Sequence, residues 1–173
     1  VEIKKIIFLD IDGVLCPLHY ENALFKMWKA SNGAIKSKDD FGKLFFFQNC
    51  EALKKIIDET GAKIVISSTW RKEGEIKMRD MWNHRNLSGE IIGITPNEED
   101  LVNFGKFEFF DDVCRGHEIE HWIEINNFKG KYVIIDDTKD MLPSQKKYFI
   151  LTNEHYGLTN EDANKAISIL NTN

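Results

Sequence analysis

Four short apolar runs are spaced along the chain: KIIFL at 5–9, KIVIS at 63–67, YVIID at 132–136 and YFILT at 148–152. Each ends on or runs straight into a polar residue. Runs this short predict strands buried on both faces, as in a parallel sheet. Between them the period changes to that of helices. Leu53, Ile56 and Ile57 form an i, i+3, i+4 stripe, so a helix is expected over 51–59, capped by Asn49 and stopped by Gly61. Residues 117–126 carry Ile119, Trp122 and Ile123 at the same spacing. Thr159 with Asp162 reads as a capping box opening a last helix through Ile167 and Leu170. Strands alternating with helices imply βαβ units, hence an α/β fold. The expected architecture is a three-layer α/β/α sandwich on a mostly parallel, Rossmann-like sheet. Residues 16–48 form the one long irregular stretch, with a short helix expected at 21–29 and a polar loop around 31–40. At about thirty residues it reads as an elaborated loop within a single domain spanning 1–173, not as a second domain.

Composition narrows the class. Of 173 residues, 42% are hydrophobic and 29% charged, ordinary values for a globular chain with one core. Twelve Phe, four Trp and four Tyr exclude whole-chain disorder. Lys and Arg number 23 against 28 Asp and Glu, a net charge of −5 that argues against non-specific duplex binding. Cys16, Cys50 and Cys114 have neither a disulfide framework's even count nor a zinc knuckle's spacing, which points to a reducing compartment. No apolar run reaches the length of a membrane span, and the first twelve residues lack the layout of a signal peptide. A cytoplasmic protein without membrane partners is expected.

In open α/β sheets ligands bind beyond the carboxyl ends of the strands, so the residues there carry the most information. The first run ends Asp10-Ile11-Asp12-Gly13, and a spacing of two puts both carboxylates on one side of an extended chain. Close carboxylates disfavour double ionisation unless a cation lies between them. Gly13 permits an abrupt turn and close backbone approach. The second run ends Ser67-Ser68-Thr69, hydroxyls and free amides suited to holding an anion. The third ends Asp136-Asp137, with Asp140 one turn on. Hard oxygen ligands from two strand ends favour magnesium over zinc or copper. Arg115, where the preceding helix begins, is a candidate fixed positive charge. Each feature alone is ordinary loop, cap or turn chemistry; all three at strand ends, in this order, are not.

These residues resemble the haloacid-dehalogenase-like superfamily. FLDIDGVL is similar to its first motif, IVISS to its second, and Arg115 to the cationic third. VIIDDTKD, with Asp136 and Asp140 at DxxxD spacing, is similar to the acidic fourth. The wording SSTWR, then RGHEIEHWI, then IIDD resembles a capless branch grouped with nucleic-acid end-repair phosphatases. Val14, Arg115 and Ile135 stand where Thr, Lys and Gly are commoner. The resemblance implies a magnesium-dependent phosphomonoesterase. In it, Asp10 attacks phosphorus to form an aspartyl-phosphate and Asp12 is the acid, then the base. Magnesium is held by Asp10, the Asp12 carbonyl and Asp136, with Asp137 an alternative ligand. Ser67 and nearby amides bind phosphoryl oxygens while Arg115 offsets charge. Asp140 is a second choice, either for metal or for orienting Arg115.

Other readings compete. His117-Glu118-Ile119-Glu120-His121 matches the H-E-x-x-H pattern of zinc peptidases. At about 100° per residue, however, both imidazoles fall opposite Ile119, Trp122 and Ile123, on a face expected to be solvated. A receiver-type signalling domain also combines acids with an aspartyl-phosphate, but places them on different strands and a Lys at a late strand end, where this chain has Thr152. A non-catalytic phosphate-binding domain is a further alternative.

For the substrate, residues 16–48 are too few for a full helical cap. Residues 70–114 must themselves supply a helix and one or two strands, so no large cap is expected and the cleft is open. Residues 70–85 carry five cationic against three anionic side chains. Arg71, nearest the second motif, is the expected ligand of a neighbouring substrate phosphate. A nucleotide or nucleic-acid end is the favoured substrate, with a small metabolite phosphate as the alternative.

Overall fold

The computed structural model describes residues 3–172. In chain order the elements are β1 (Lys5–Leu9), α1 (Leu18–Ala30), β2 (Lys38–Asp39), β3 (Gly42–Lys43), α2 (Phe47–Thr60), β4 (Lys63–Ile66), α3 (Glu75–His84), β5 (Ile91–Ile94), α4 (Glu98–Asn103), α5 (Arg115–Ile125), β6 (Lys131–Asp136), β7 (Phe149–Leu151) and α6 (Asn160–Asn171). Five strands form one sheet in the order β5-β4-β1-β6-β7, every neighbouring pair parallel. Parallel strands need crossover connections, and the helices supplying them cover both faces. The central strand therefore carries a continuous apolar run, and Ile6, Ile7, Phe8 and Leu9 have no exposed surface.

Alternation along β1 divides the core in two. Ile7 and Leu9 pack with Leu53 and Ile56 of α2, Met78 and Met81 of α3, and Ala163, Ala166 and Leu170 of α6. Ile6 and Phe8 face the other way, against Ile119 and Trp122 of α5, with Phe8 and Trp122 meeting edge to face at 5.5 Å. This is the three-layer α/β/α sandwich, with no large cap. Among the described residues no helix is long and apolar enough to cross a membrane.

Where elements differ from the hydrophobic pattern, hydrogen bonds account for it. The helix expected over 51–59 begins at Phe47, because the Asn49 and Cys50 amides already donate to the Phe46 carbonyl. Asn49 is thus not its cap. Its buried side chain donates instead to the Tyr156 and Leu158 carbonyls, fastening α2 to the loop before α6. Gly61 ends α2 with φ of 67°, and the Thr159–Asp162 capping box opens α6, both as the sequence implies. The end of the loop expected around 31–40 instead forms the first strand of the β2–β3 hairpin, which Arg85, just past α3, pins by a two-pronged bond to Asp39.

Candidate active site

Sheet register assembles the site. Leu9 pairs with Ile66 on β4 and with Ile135 on β6, so the next residues on these adjacent strands are Asp10, Ser67 and Asp136. Backbone bonds extend the ladder through them: Asp10 N–H donates to the Ile135 carbonyl and Ser67 N–H to the Leu9 carbonyl, both at 3.0 Å. By the alternation of β1, Asp10 lies on the side of Ile6 and Phe8, the side covered by α5. Arg115, the first residue of α5, reaches it there. Its Nη1 donates to Asp136 Oδ2 at 3.1 Å and to Asp10 Oδ1 at 3.4 Å.

Beyond Asp10 the chain turns sharply, with the Val14, Leu15 and Cys16 amides all donating to the Ile11 carbonyl. Gly13 takes φ of 65°, and a Cβ there would lie 2.0 Å from Asp137 Oδ2. The missing side chain is what lets Asp137 close on the site. Asp10, Asp136 and Asp137 thereby bring one carboxylate oxygen each within 4.8 Å of one another. Asp10 and Asp136 are buried and Asp137 is half-buried.

Three carboxylates at this range carry more negative charge than one guanidinium offsets. Burial, then repulsion from Asp136, pushes Asp10 up to about 6, while Arg115, the Ser68 hydroxyl and the Ile11 amide pull it back. Burial and Asp136 also raise Asp137. Burial works against the Arg115 cation, but Asp136, Asp10 and Glu118 outweigh it and raise its proton affinity. An all-oxygen donor set short of positive charge is suited to a hard divalent cation.

The remaining sequence candidates are placed as follows. The Asp12 carboxylate is outside the cluster and 42% exposed: Lys43 of β3 donates to its Oδ1 at 3.0 Å and the Trp70 indole N–H to its Oδ2 at 2.9 Å. Its side chain therefore serves the open cleft and not the carboxylate cluster. The Ser68 hydroxyl accepts from the Trp70 amide at 3.4 Å, while Ser67 is fully buried, its Oγ without a hydrogen-bond partner. Asp140 does not join the cluster. Its Oδ2 and carbonyl accept from the Arg115 and Gly116 amides and so cap α5.

Arg71 is displaced most from its expected place. It is 4% exposed, donates to the Ser67 carbonyl at 2.7 Å and to Glu118 Oε1 at 2.6 Å, and so lies beneath the cleft instead of lining it. Glu118 in turn faces Arg115 Nε at 3.3 Å. The histidine face of α5, expected to be solvated, is half-buried, with His117 packed on Phe107 at 4.7 Å and His121 on Phe104 at 5.4 Å, and Glu118 at its flank is buried. Neither histidine belongs to the metal-competent cluster found among the described residues.

Sequence reasoning missed Glu118, Lys43 and the role of Trp70. Helical spacing places Glu118 about 100° from Ile119, at the flank of the apolar stripe, which was the available signal for burial. Nothing local marks Lys43 or the Trp70 indole as partners of Asp12.

The sequence model of a family described as the HAD domain in Swiss Army Knife RNA repair proteins matches residues 6–163. Neither a curated protein nor a solved structure matches the chain significantly.

Proposed function

The chain belongs to the HAD domains of Swiss Army Knife RNA repair proteins, and from that premise we propose that it is a magnesium-dependent phosphomonoesterase acting on nucleic-acid phosphate ends through an aspartyl-phosphate. The observation that carries this reading is the convergence of Asp10, Asp136 and Asp137 beside Arg115 at the carboxyl edge of the sheet. The superfamily is one of hydrolases, phosphatases among them.

An Asp10 carboxylate oxygen forms a bond to phosphorus while the bond from phosphorus to the ester oxygen breaks. The Asp12 carboxyl gives that departing oxygen its proton. Lys43 and Trp70 position the Asp12 side chain at the cleft, where in its protonated form it serves as the acid of the first step. In the second step Asp12 takes a proton from water, whose oxygen attacks phosphorus as the Asp10–phosphorus bond breaks. Phosphate leaves and the Asp10 carboxylate is restored.

Arg115 offsets the charge growing on the phosphoryl oxygens, and Ser68 with the amides following β4 orients them. Magnesium, held by Asp10, Asp136 and Asp137, supplies the positive charge that lets an anionic nucleophile approach an anionic ester. Preference for a nucleic-acid end is supported by the family and by the absence of a large cap, since an uncapped cleft admits the end of a polymer.

The test is turnover of an aryl phosphate with magnesium, its arrest by chelator and its recovery when magnesium is returned. Acid quenching during turnover of a radiolabelled substrate should leave label on the wild-type protein and none on Asp10→Asn. Undiminished turnover by Asp10→Asn would overturn the assignment.

A further inference from the structure

The stretch between the first motif and α2 does more than fill space. Helix α1 buries only Leu24 and exposes a large apolar surface. Phe25 and Trp28, 55% and 43% exposed, stack on each other at 5.8 Å with planes 27° apart. They line a concavity of about 420 Å³ together with Lys36 and Lys38. Lys38 also borders a second concavity of about 370 Å³, which runs past Lys43 and Trp70 to Asp12. The two hollows share Lys38 as a lining residue, and the second of them reaches the proposed acid–base carboxylate.

Charge along this pair of hollows runs against the chain as a whole. Lys36, Lys38, Lys43 and Lys77 line it, against the acids Asp12 and Glu73, in a chain of net charge −5. Lys36 and Lys38 are exposed and pair with no carboxylate among the described residues; the nearby Asp39 is held by Arg85. That same bond fixes the hairpin, and the Arg85 guanidinium lies 4.2 Å over the Phe45 ring to anchor it further.

Exposed aromatic faces interleaved with unpaired lysines, leading into a phosphate site, match the way single strands are held: bases stack on rings while cations follow the backbone. A duplex keeps its bases stacked on one another and offers none to such rings. We propose that α1 and the β2–β3 hairpin form a binding track for single-stranded polynucleotide, with bases stacking on Phe25 and Trp28 and the phosphate backbone following Lys36 and Lys38 toward Asp12. This rests on the phosphatase reading for the position of the terminal phosphate, but not for strand binding itself.

The experiment is fluorescence anisotropy with a labelled single-stranded decamer lacking a terminal phosphate. It is run on wild type, on Phe25→Ala/Trp28→Ala and on Lys36→Gln/Lys38→Gln, with thermal melting as the control for folding. The aromatic variant should bind about 10-fold more weakly or worse. The lysine variant should lose about 1.4 from the slope of log affinity against log salt, at about 0.7 per phosphate contact. The ratio of kcat/KM for a phosphate-ended decamer to that for a mononucleotide should fall in both. Absence of wild-type binding, or equal binding by wild type and both variants, overturns the track. So does a concentration-dependent dimer in sedimentation that the aromatic variant loses, since the face would then belong to a second copy. Decamer binding without aryl phosphate turnover would defeat the phosphatase reading and leave the track standing.

Discussion

Replacing Arg71 with Met distinguishes a substrate ligand from a buried structural cation. The substitution keeps an unbranched stem but removes the guanidinium that bonds the Ser67 carbonyl and Glu118, both inside the protein. Glu118 is left in a buried position with Arg115 as its one remaining cation. Breaking a buried pair from one side costs about 3–5 kcal/mol, which for a domain of this size corresponds to a fall in Tm of about 6–20 °C. The loss should also depend on pH. Burial already pushes Glu118 up to about 7 against the pull of Arg71 and Arg115, and without Arg71 it rises further. The folded variant then binds a proton more tightly than folded wild type, so its deficit is smaller below pH 7 and grows as pH rises through and beyond 7. Urea unfolding of both proteins at pH 6 and pH 8.5 measures this. Adding Glu118→Met to Arg71→Met removes the stranded carboxylate and should restore most of the stability. Turnover should stay low, because Arg115 has lost a carboxylate that positions it. A change in Tm under about 2 °C, with the defect confined to KM, would show that Arg71 meets substrate after all.

Asp10→Asn should abolish turnover yet raise Tm in chelator, because it removes one of three mutually repelling carboxylates; an unchanged or lower Tm would argue against the charge accounting at that cluster. Gly13→Ala should weaken magnesium binding, seen by calorimetry, since its Cβ would meet Asp137 Oδ2 at 2.0 Å; the left-handed backbone there adds about 1–2 kcal/mol of destabilisation. Trp70→Phe removes the indole donor to Asp12. It should lower kcat about 10–100-fold, the worth of a bond to a charged group, with KM nearly constant; a change in KM alone would place Trp70 in substrate binding instead.

The elements legible in the sequence are those written in local periodicity. KIIFL, KIVIS and YVIID had to be two-face-buried strands, and acids and hydroxyls at their ends had to gather wherever parallel strands finish together. What escaped depends on tertiary meetings. Arg71 and Glu118 are 47 positions apart, and nothing local joins the arginine expected at the substrate to that helix glutamate; only the approach of α5 to the turn after β4 turns them into a buried pair. Asn49 has a good capping residue's chemistry, but the loop before α6 offers it two carbonyls and α2 starts without it. The histidine face of α5 is polar by its own pattern and is covered by Phe104 and Phe107 from another segment. Asp12 and its two donors come from three separate stretches, so the spacing of the first motif alone could not foretell that its two carboxylates part company.

The strand order has a consequence for how the protein is made. The nucleophile's strand lies at the centre of the sheet, with β4 on one side and β6, some 125 residues later, on the other. Such long-range parallel pairing must close large loops before any contact compensates the lost chain entropy, which slows folding and lengthens the life of unpaired edges. During synthesis the Asp10 motif leaves the ribosome well before its partner strand, and β1 keeps one edge open until residues 131–136 arrive. Assembly of the cluster therefore waits for β6, and until then that edge is what a chaperone or another nascent strand would find.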